Sequence, residues 1–175
     1  MRALADEARI RRFMEEIGRT ATKPSRLFFA GGATAVLIGW RETTIDVDIK
    51  LVPDAGEPLR AVPRLKEQLS LNVELAAPVD FIPVPSGWED RSPHIETIGK
   101  MSFHHFEFAA QAMSKIERGH ANDLADVEEM LSRGLVRQTE LTAYFEAITP
   151  ELYRYPALDP TSFHKKLSAV VESST

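Results

Sequence analysis

The chain contains no cysteine. That one absence removes disulfide staples, thiolate nucleophiles and cysteine-based zinc sites together. No apolar run approaches the ~18 to 20 residues needed to span a bilayer, which argues against a membrane role. The segment from Met1 to Ile17 is charged throughout and lacks the continuous apolar stretch of a secretory signal. A reducing, cytoplasmic location is the expectation that fits. The five histidines are not spaced as metal ligands. His104 and His105 are adjacent and would face opposite ways on a strand, and His94, His120 and His164 stand apart. No Gly-x-Ser-x-Gly elbow, Walker A loop or His-Glu-x-x-His element occurs. Positive charge is also short, with 21 Lys and Arg against 26 Asp and Glu and a net charge of −5. Stable duplex DNA binding draws most of its affinity from neutralised phosphates, so none is expected, whereas enzymatic use of a nucleic acid needs only a local basic patch.

A length of 175 residues suits one domain, or a core with a helical appendage. Ile10, Phe13, Met14 and Ile17 put an amphipathic helix over 3–17, with Gly18 placed to end it. Leu27-Phe28-Phe29-Ala30 reads as a buried strand running into Gly31-Gly32, and Ala33 to Ile38 as a short helix closed by Gly39. From Thr43 to Leu51 the pattern alternates with period two. Ile45, Val47, Ile49 and Leu51 take one face; Thr44, Asp46, Asp48 and Lys50 take the other. Leu59, Val62, Leu65 and Leu69 predict a helix restarted or kinked at Pro63. Short strands are expected at Val73 and Leu75 and at Val79-Asp80-Phe81-Ile82, then a loop from Pro83 to Trp88. A hairpin of 94–98 and 101–106 should turn at Gly99-Lys100.

Beyond residue 106 the periodicity is helical. Stripes run through Ala109, Ala112, Met113 and Ile116, then Leu124, Val127 and Leu131, then Leu141, Tyr144, Phe145 and Ile148, with a last helix starting at Pro160. The expectation is an α/β (α+β) fold. A mixed-sheet core spans 1–106, and a C-terminal helical region, 107–175, packs on it as a single structural unit.

Asp46 and Asp48 are the sharpest chemical feature. Two residues apart on a strand, they project from one face, and two parallel carboxylates are costly unless something positive lies between them. Mg²⁺ suits such a pair, since it binds one or two carboxylates and completes its shell with phosphates and water. The plain alternative is a solvated doublet neutralised by Lys50. Against that, strands disfavour Asp, and a Gly-Gly turn upstream lets backbone N–H groups approach an anion. Thr34 could add a hydroxyl to a phosphate oxygen, and Gly39-x-Arg41 and Thr43 or Thr44 lie between the turn and the acids.

The stretch from Ala30-Gly31-Gly32 through Gly39-Trp40-Arg41 and Thr43-Thr44 to Asp46-Val47-Asp48 resembles the first motif of the nucleotidyltransferase superfamily. Its nearest likeness is to the AbiEii-type toxin and minimal nucleotidyltransferase branches. A little-characterised subfamily of these resembles nearly the whole chain, including Phe81-Ile82-Pro83 and Gly87-Trp88-Glu89-Asp90-Arg91. The resemblance implies a nucleotidyltransferase-like mixed sheet flanked by helices. It also implies that Gly31 and Gly32 hold a nucleoside triphosphate and that Asp46 and Asp48 bind Mg²⁺ or Mn²⁺. A third carboxylate is implied on a later strand. Asp80 matches it, and convergence of the three would hold two metals about 3.5–4 Å apart. Asp80 reads equally as a turn residue after Ala77-Pro78, with Glu74 as the fallback.

Farther along, Met113-Ser114-Lys115-Ile116-Glu117-Arg118 and Asn122-Asp123-Leu124-Ala125-Asp126 resemble late Lys-x-x-Arg and Lys-Asp-x-x-Asp elements of AbiEii-type proteins. Lys115 would then reach a triphosphate oxygen, positioned by Arg118, Asp123 and Asp126. The sequence departs from that pattern at Asn122, which can instead be an N-cap with acidic first-turn residues behind it. Trp40 and Trp88 read as a packing residue and a loop anchor. The implied activity is metal-dependent transfer of a nucleoside monophosphate from an NTP to a hydroxyl of a tRNA or a partner protein, in a toxin–antitoxin setting. The alternative of another class is a catalytically weak or inactive module, the antitoxin-like partner of a toxin.

Overall fold

A computed structural model of the chain describes residues 3–173. It falls into two compact units, one of Met1–Ala77 with Ser92–Phe106, the other of Pro78–Arg91 with Glu107–Thr175. The division at Phe106/Glu107 coincides with the change in periodicity. The segment Pro78–Arg91 groups with the helices rather than with the sheet.

The first unit holds α1 (Glu7–Gly18), β1 (Ser25–Ala30), α2 (Gly32–Ile38), β2 (Asp46–Val52), α3 (Glu57–Leu69), β3 (Asn72–Glu74), β4 (His94–Ile98) and β5 (Met101–His105). Asp6 caps α1 by accepting from Arg9 N–H at 2.9 Å, and the expected stripe of Ile10, Phe13, Met14 and Ile17 is fully buried. Gly18 is the last helical residue. A Cβ there would press on Ile98 Cβ at 3.0 Å, so close packing, not a left-handed cap, calls for glycine. Pro63 lies inside α3, which runs through it as one helix.

The five strands form a mixed sheet ordered β3-β2-β1-β5-β4. β1 pairs antiparallel with β2 and parallel with β5; β2 pairs parallel with β3, and β4–β5 is the hairpin expected about Gly99-Lys100. Leu27, Phe29, Val47, Ile49, Leu51, Val73, Met101 and Phe103 form one core with the α1 stripe, Val62 and Leu65. Each fully buried large side chain contributes roughly 1.5–3 kcal/mol from apolar burial. Ile45, expected inward, is 65% exposed because β2 begins one residue later, at Asp46. By alternation the opposite face of the sheet carries Asp46, Asp48 and Lys50 from β2 and Asn72 and Glu74 from β3.

The second unit contains α4 (Trp88–Arg91), α5 (Phe108–Arg118), α6 (Ala121–Ser132), α7 (Gln138–Ile148) and α8 (Pro160–Ser173), with 3₁₀ turns at Pro78–Asp80 and Thr149–Arg154. Residues 110–116 of α5 are all buried, so this helix is enclosed rather than amphipathic. Leu124 is 39% exposed, contrary to its place in the expected stripe. Arg91 and Glu107 form an ion pair at 2.6 Å, and Tyr144 donates to the same carboxylate at 2.8 Å. Burial, then the neighbouring Glu107 charge, pushes the Tyr144 hydroxyl far above its ordinary pKa and keeps it a donor. Tyr155 donates to Val79 O at 2.8 Å, a second tie on segment 78–91.

Candidate active site

The Gly-Gly turn is glycine for two separate reasons. Gly31 ends β1 with φ +61°, a region costly to any side chain. A Cβ on it would lie 3.0 Å from Asp48 Oδ2, so the turn's backbone comes up against that carboxylate. Gly32, the first residue of α2, has no positive φ. A Cβ there would lie 2.0 Å from Thr44 Oγ1 and 2.7 Å from Thr44 Cβ, and Arg41 Nη1 is 3.5 Å from the same point. Thr44 cannot retreat easily. Its backbone exchanges two hydrogen bonds with Ala5, at 2.8 and 2.9 Å, and its hydroxyl donates to Asp46 O at 3.0 Å. The turn, Arg41, Thr44, Asp46 and Asp48 are thereby brought to one place.

Among the other expected residues of this unit, Thr43 is exposed while Thr44 is buried, so Thr44 is the one built into the turn. Thr34 is fully buried; its hydroxyl donates to Phe29 O at 3.2 Å and meets His105 Nδ1 at 3.0 Å. It ties α2 to β1 and β5. Burial first, then the charges of Arg11 and His104, lower the His105 pKa to about 4, leaving the ring neutral.

Asp80 is corrected. The expected strand at 79–82 is a 3₁₀ turn at Pro78–Asp80, with Phe81 and Ile82 N–H both bonded to Pro78 O at 3.0 Å. Proline presets a helical φ and donates nothing to a ladder, so the segment turns where apolar content alone suggested extension. Asp80 belongs to the second unit and to no strand. Glu74, the fallback, does lie on the sheet. In the parallel β2–β3 ladder it stands opposite Asp48, and Asn72 stands opposite Asp46. Asn72, buried at 5% exposure, donates from Nδ2 both to Asp46 Oδ1 and, at 3.0 Å, to Glu74 Oε1. Sequence reasoning passed over Asn72. Its period-two spacing from Glu74 was visible, but which strand it would neighbour was not.

Lys115, Arg118, Asp123 and Asp126 lie in the second unit and serve one another. Lys115 Nζ is 2.7 Å from Asp126 Oδ2 and 3.8 Å from Asp123 Oδ1; Arg118 grips Asp123 with Nη2 at 2.8 Å and Nε at 3.3 Å. Burial acts to raise the Asp123 pKa. The Arg118 hydrogen bond and the charges of Arg118, Lys115 and His120 outweigh it, leaving the pKa below its ordinary value. N-cap of α6 is His120, not Asn122, which sits inside the helix.

The carboxylate oxygens that Asp46, Asp48 and Glu74 bring to the sheet face are hard donors, the kind that suits a cation such as Mg²⁺ or Mn²⁺. Among the described residues, no three or more His, Asp and Glu side chains are gathered to hold a metal by themselves. Comparison with protein-family models, with curated proteins and with solved structures finds no match.

Proposed function

We propose that the chain is a metal-dependent nucleotidyltransferase, with its site on the Asp46/Asp48 face of the sheet. The observation that carries this is the approach of the Gly31 backbone to Asp48, which sets an anion-accepting turn against a cation-binding pair. In this reading the Gly31-Gly32 turn takes the triphosphate through backbone N–H groups, and Arg41, reaching over Gly32, meets its charge. Asp46 and Asp48 hold Mg²⁺ or Mn²⁺, with Glu74, opposite Asp48 on β3, as the third carboxylate of this sheet face. The cation neutralises the phosphates and orients them. The acceptor oxygen bonds to the α-phosphorus as the bond to the β-phosphate side breaks; pyrophosphate leaves, and a carboxylate of the array takes the hydroxyl proton. The Lys115, Arg118, Asp123 and Asp126 cluster ties α5 to α6 within the second unit. The acceptor in this reading is a tRNA end or a partner protein, in a cytoplasmic toxin–antitoxin setting. Among the described residues no helix is long and apolar enough to cross a membrane, which is compatible with that setting.

The test is incorporation of label from each α-labelled NTP, with Mg²⁺ or Mn²⁺, into total RNA or a co-purified protein. Wild type should label an acceptor, and Asp46→Asn and Asp48→Asn should lose at least about 100-fold, the order seen when a group that stabilises transition-state charge is removed. An absence of labelling with every NTP and both metals overturns the enzyme reading in favour of a non-catalytic module.

A further inference from the structure

We propose that Asn72 is the positioning residue of the acidic face, holding the Asp46 and Glu74 carboxylates in the orientation from which they meet a cation. The inference rests on the metal-dependent reading above. Asn72 lies opposite Asp46 on the neighbouring strand and two residues before Glu74 on its own. Its Nδ2 donates to Asp46 Oδ1 and to Glu74 Oε1. Ionised carboxylates only accept, so the nitrogen end of the amide must face them, and both of its N–H groups are then committed. A side chain at 5% exposure with both hydrogens engaged has little freedom to turn.

The residue type is informative. Two carboxylates drawn to one point repel each other, and something must offset that before any metal arrives. Lysine or arginine would offset it with a full charge and compete with the cation. Aspartate would add a further negative group, and leucine, close in shape, would donate nothing. Asparagine supplies two donors and no net charge. It gathers the carboxylates while leaving their charge available. Groups that orient ligands in this way, without touching the metal, typically govern 10–100-fold in affinity or activity.

The experiment titrates the full-length chain with Mn²⁺ alone and follows free Mn²⁺ by electron paramagnetic resonance. The proteins are wild type, Asn72→Leu, Asn72→Ser and Asp48→Asn. Wild type should bind and Asp48→Asn should not. Asn72→Leu should bind about 10–100-fold more weakly, and Asn72→Ser, which keeps one donor, should fall between. In nucleotide incorporation Asn72→Leu should need about 10–100-fold more Mn²⁺ for half-maximal rate, a shift that a smaller folded fraction alone would not produce. Should Asn72→Leu fail to fold, Asn72→Ser decides: weakened binding supports the assignment, and wild-type binding overturns it. Mn²⁺ binding by Asn72→Leu as tight as wild type also overturns it while leaving the metal-dependent reading standing. No Mn²⁺ binding by wild type overturns the assignment, and the metal-dependent reading falls with it only if nucleotide incorporation is absent as well.

Discussion

Replacing Gly32 with alanine tests the construction of the turn directly. The new Cβ would start 2.0 Å from Thr44 Oγ1 and must gain about 1.4 Å to reach ordinary contact. Thr44 is held by its two backbone bonds to Ala5 and by its hydroxyl bond to Asp46 O, so the movement is opposed. Overpacking of this kind costs about 1–3 kcal/mol, and losing the hydroxyl bond adds about 0.5–1.5 kcal/mol. Against this, alanine in an unstrained helical position restricts the unfolded chain and returns about 0.4–1 kcal/mol. The net expectation is a destabilisation of about 2 kcal/mol, or roughly 4–8 °C in Tm for a chain of this size. Urea unfolding of the single and double variants gives the decisive number. Gly32→Ala combined with Thr44→Gly removes both clashing atoms, so the pair should couple favourably by about 1–2 kcal/mol. Thr44→Ala leaves a Cβ at 2.7 Å and should rescue only in part. Gly31→Ala is the control. Its cost arises from φ +61°, about 1–2 kcal/mol, and Thr44→Gly should do nothing for it. Gly32→Ala within about 0.5 kcal/mol of wild type, or no coupling to Thr44→Gly, would refute the argument.

Two further outcomes follow from the buried groups. His105 titrates near 4 when folded and near its ordinary 6.5 when unfolded. As pH falls from 6.5 to 4 the unfolded state therefore takes up a proton that the folded state refuses. Stability should fall over that window by on the order of 3 kcal/mol, and His105→Asn, which does not titrate, should flatten the loss in urea unfolding at pH 7, 6 and 5. Parallel profiles for the two proteins would count against it. Asp123 does not confuse the comparison, because its lowered pKa costs stability only below the ordinary carboxylate value of 3.8. Lys115→Met removes the cation 2.7 Å from the Asp126 carboxylate, whose side chain is 3% exposed, and should cost about 3–5 kcal/mol by Tm or urea midpoint. Lys115→Met with Asp126→Leu removes both charges and should recover much of that; an equally damaged double variant would sink the ion-pair account.

The elements most legible in the sequence were those whose local pattern and final environment agree. The α1 stripe, the alternation from Asp46 onward and the Gly99-Lys100 hairpin are set by neighbours in the chain, and they stand where the periodicity placed them. The readings that changed depended on long-range partners. Val79 to Ile82 had strand composition, but Pro78 begins a 3₁₀ turn and no ladder receives it. Ile45 fitted an inward alternation, yet β2 starts after it. Thr34 and Thr44 could not be told apart from Thr43 by type. Only the packing of α2 on β1 and the bridge to Ala5 decide which hydroxyls are enclosed.

The same distinction bears on the acidic site. Asp46 and Asp48 were visible because period two is a local property of a strand, and it holds whatever the strand pairs with. The third position was not visible, because a ladder partner is a property of topology. Once β3 runs parallel to β2 with Asp48 opposite Glu74, the same alternation that aligned the first two acids aligns Glu74 and Asn72 with them. A residue on a 3₁₀ turn has no such constraint. The site is thus best described as a two-strand array. In the proposed reading Asn72, which donates to Asp46 and to Glu74, is the member that offsets the repulsion between those two carboxylates before a cation is present.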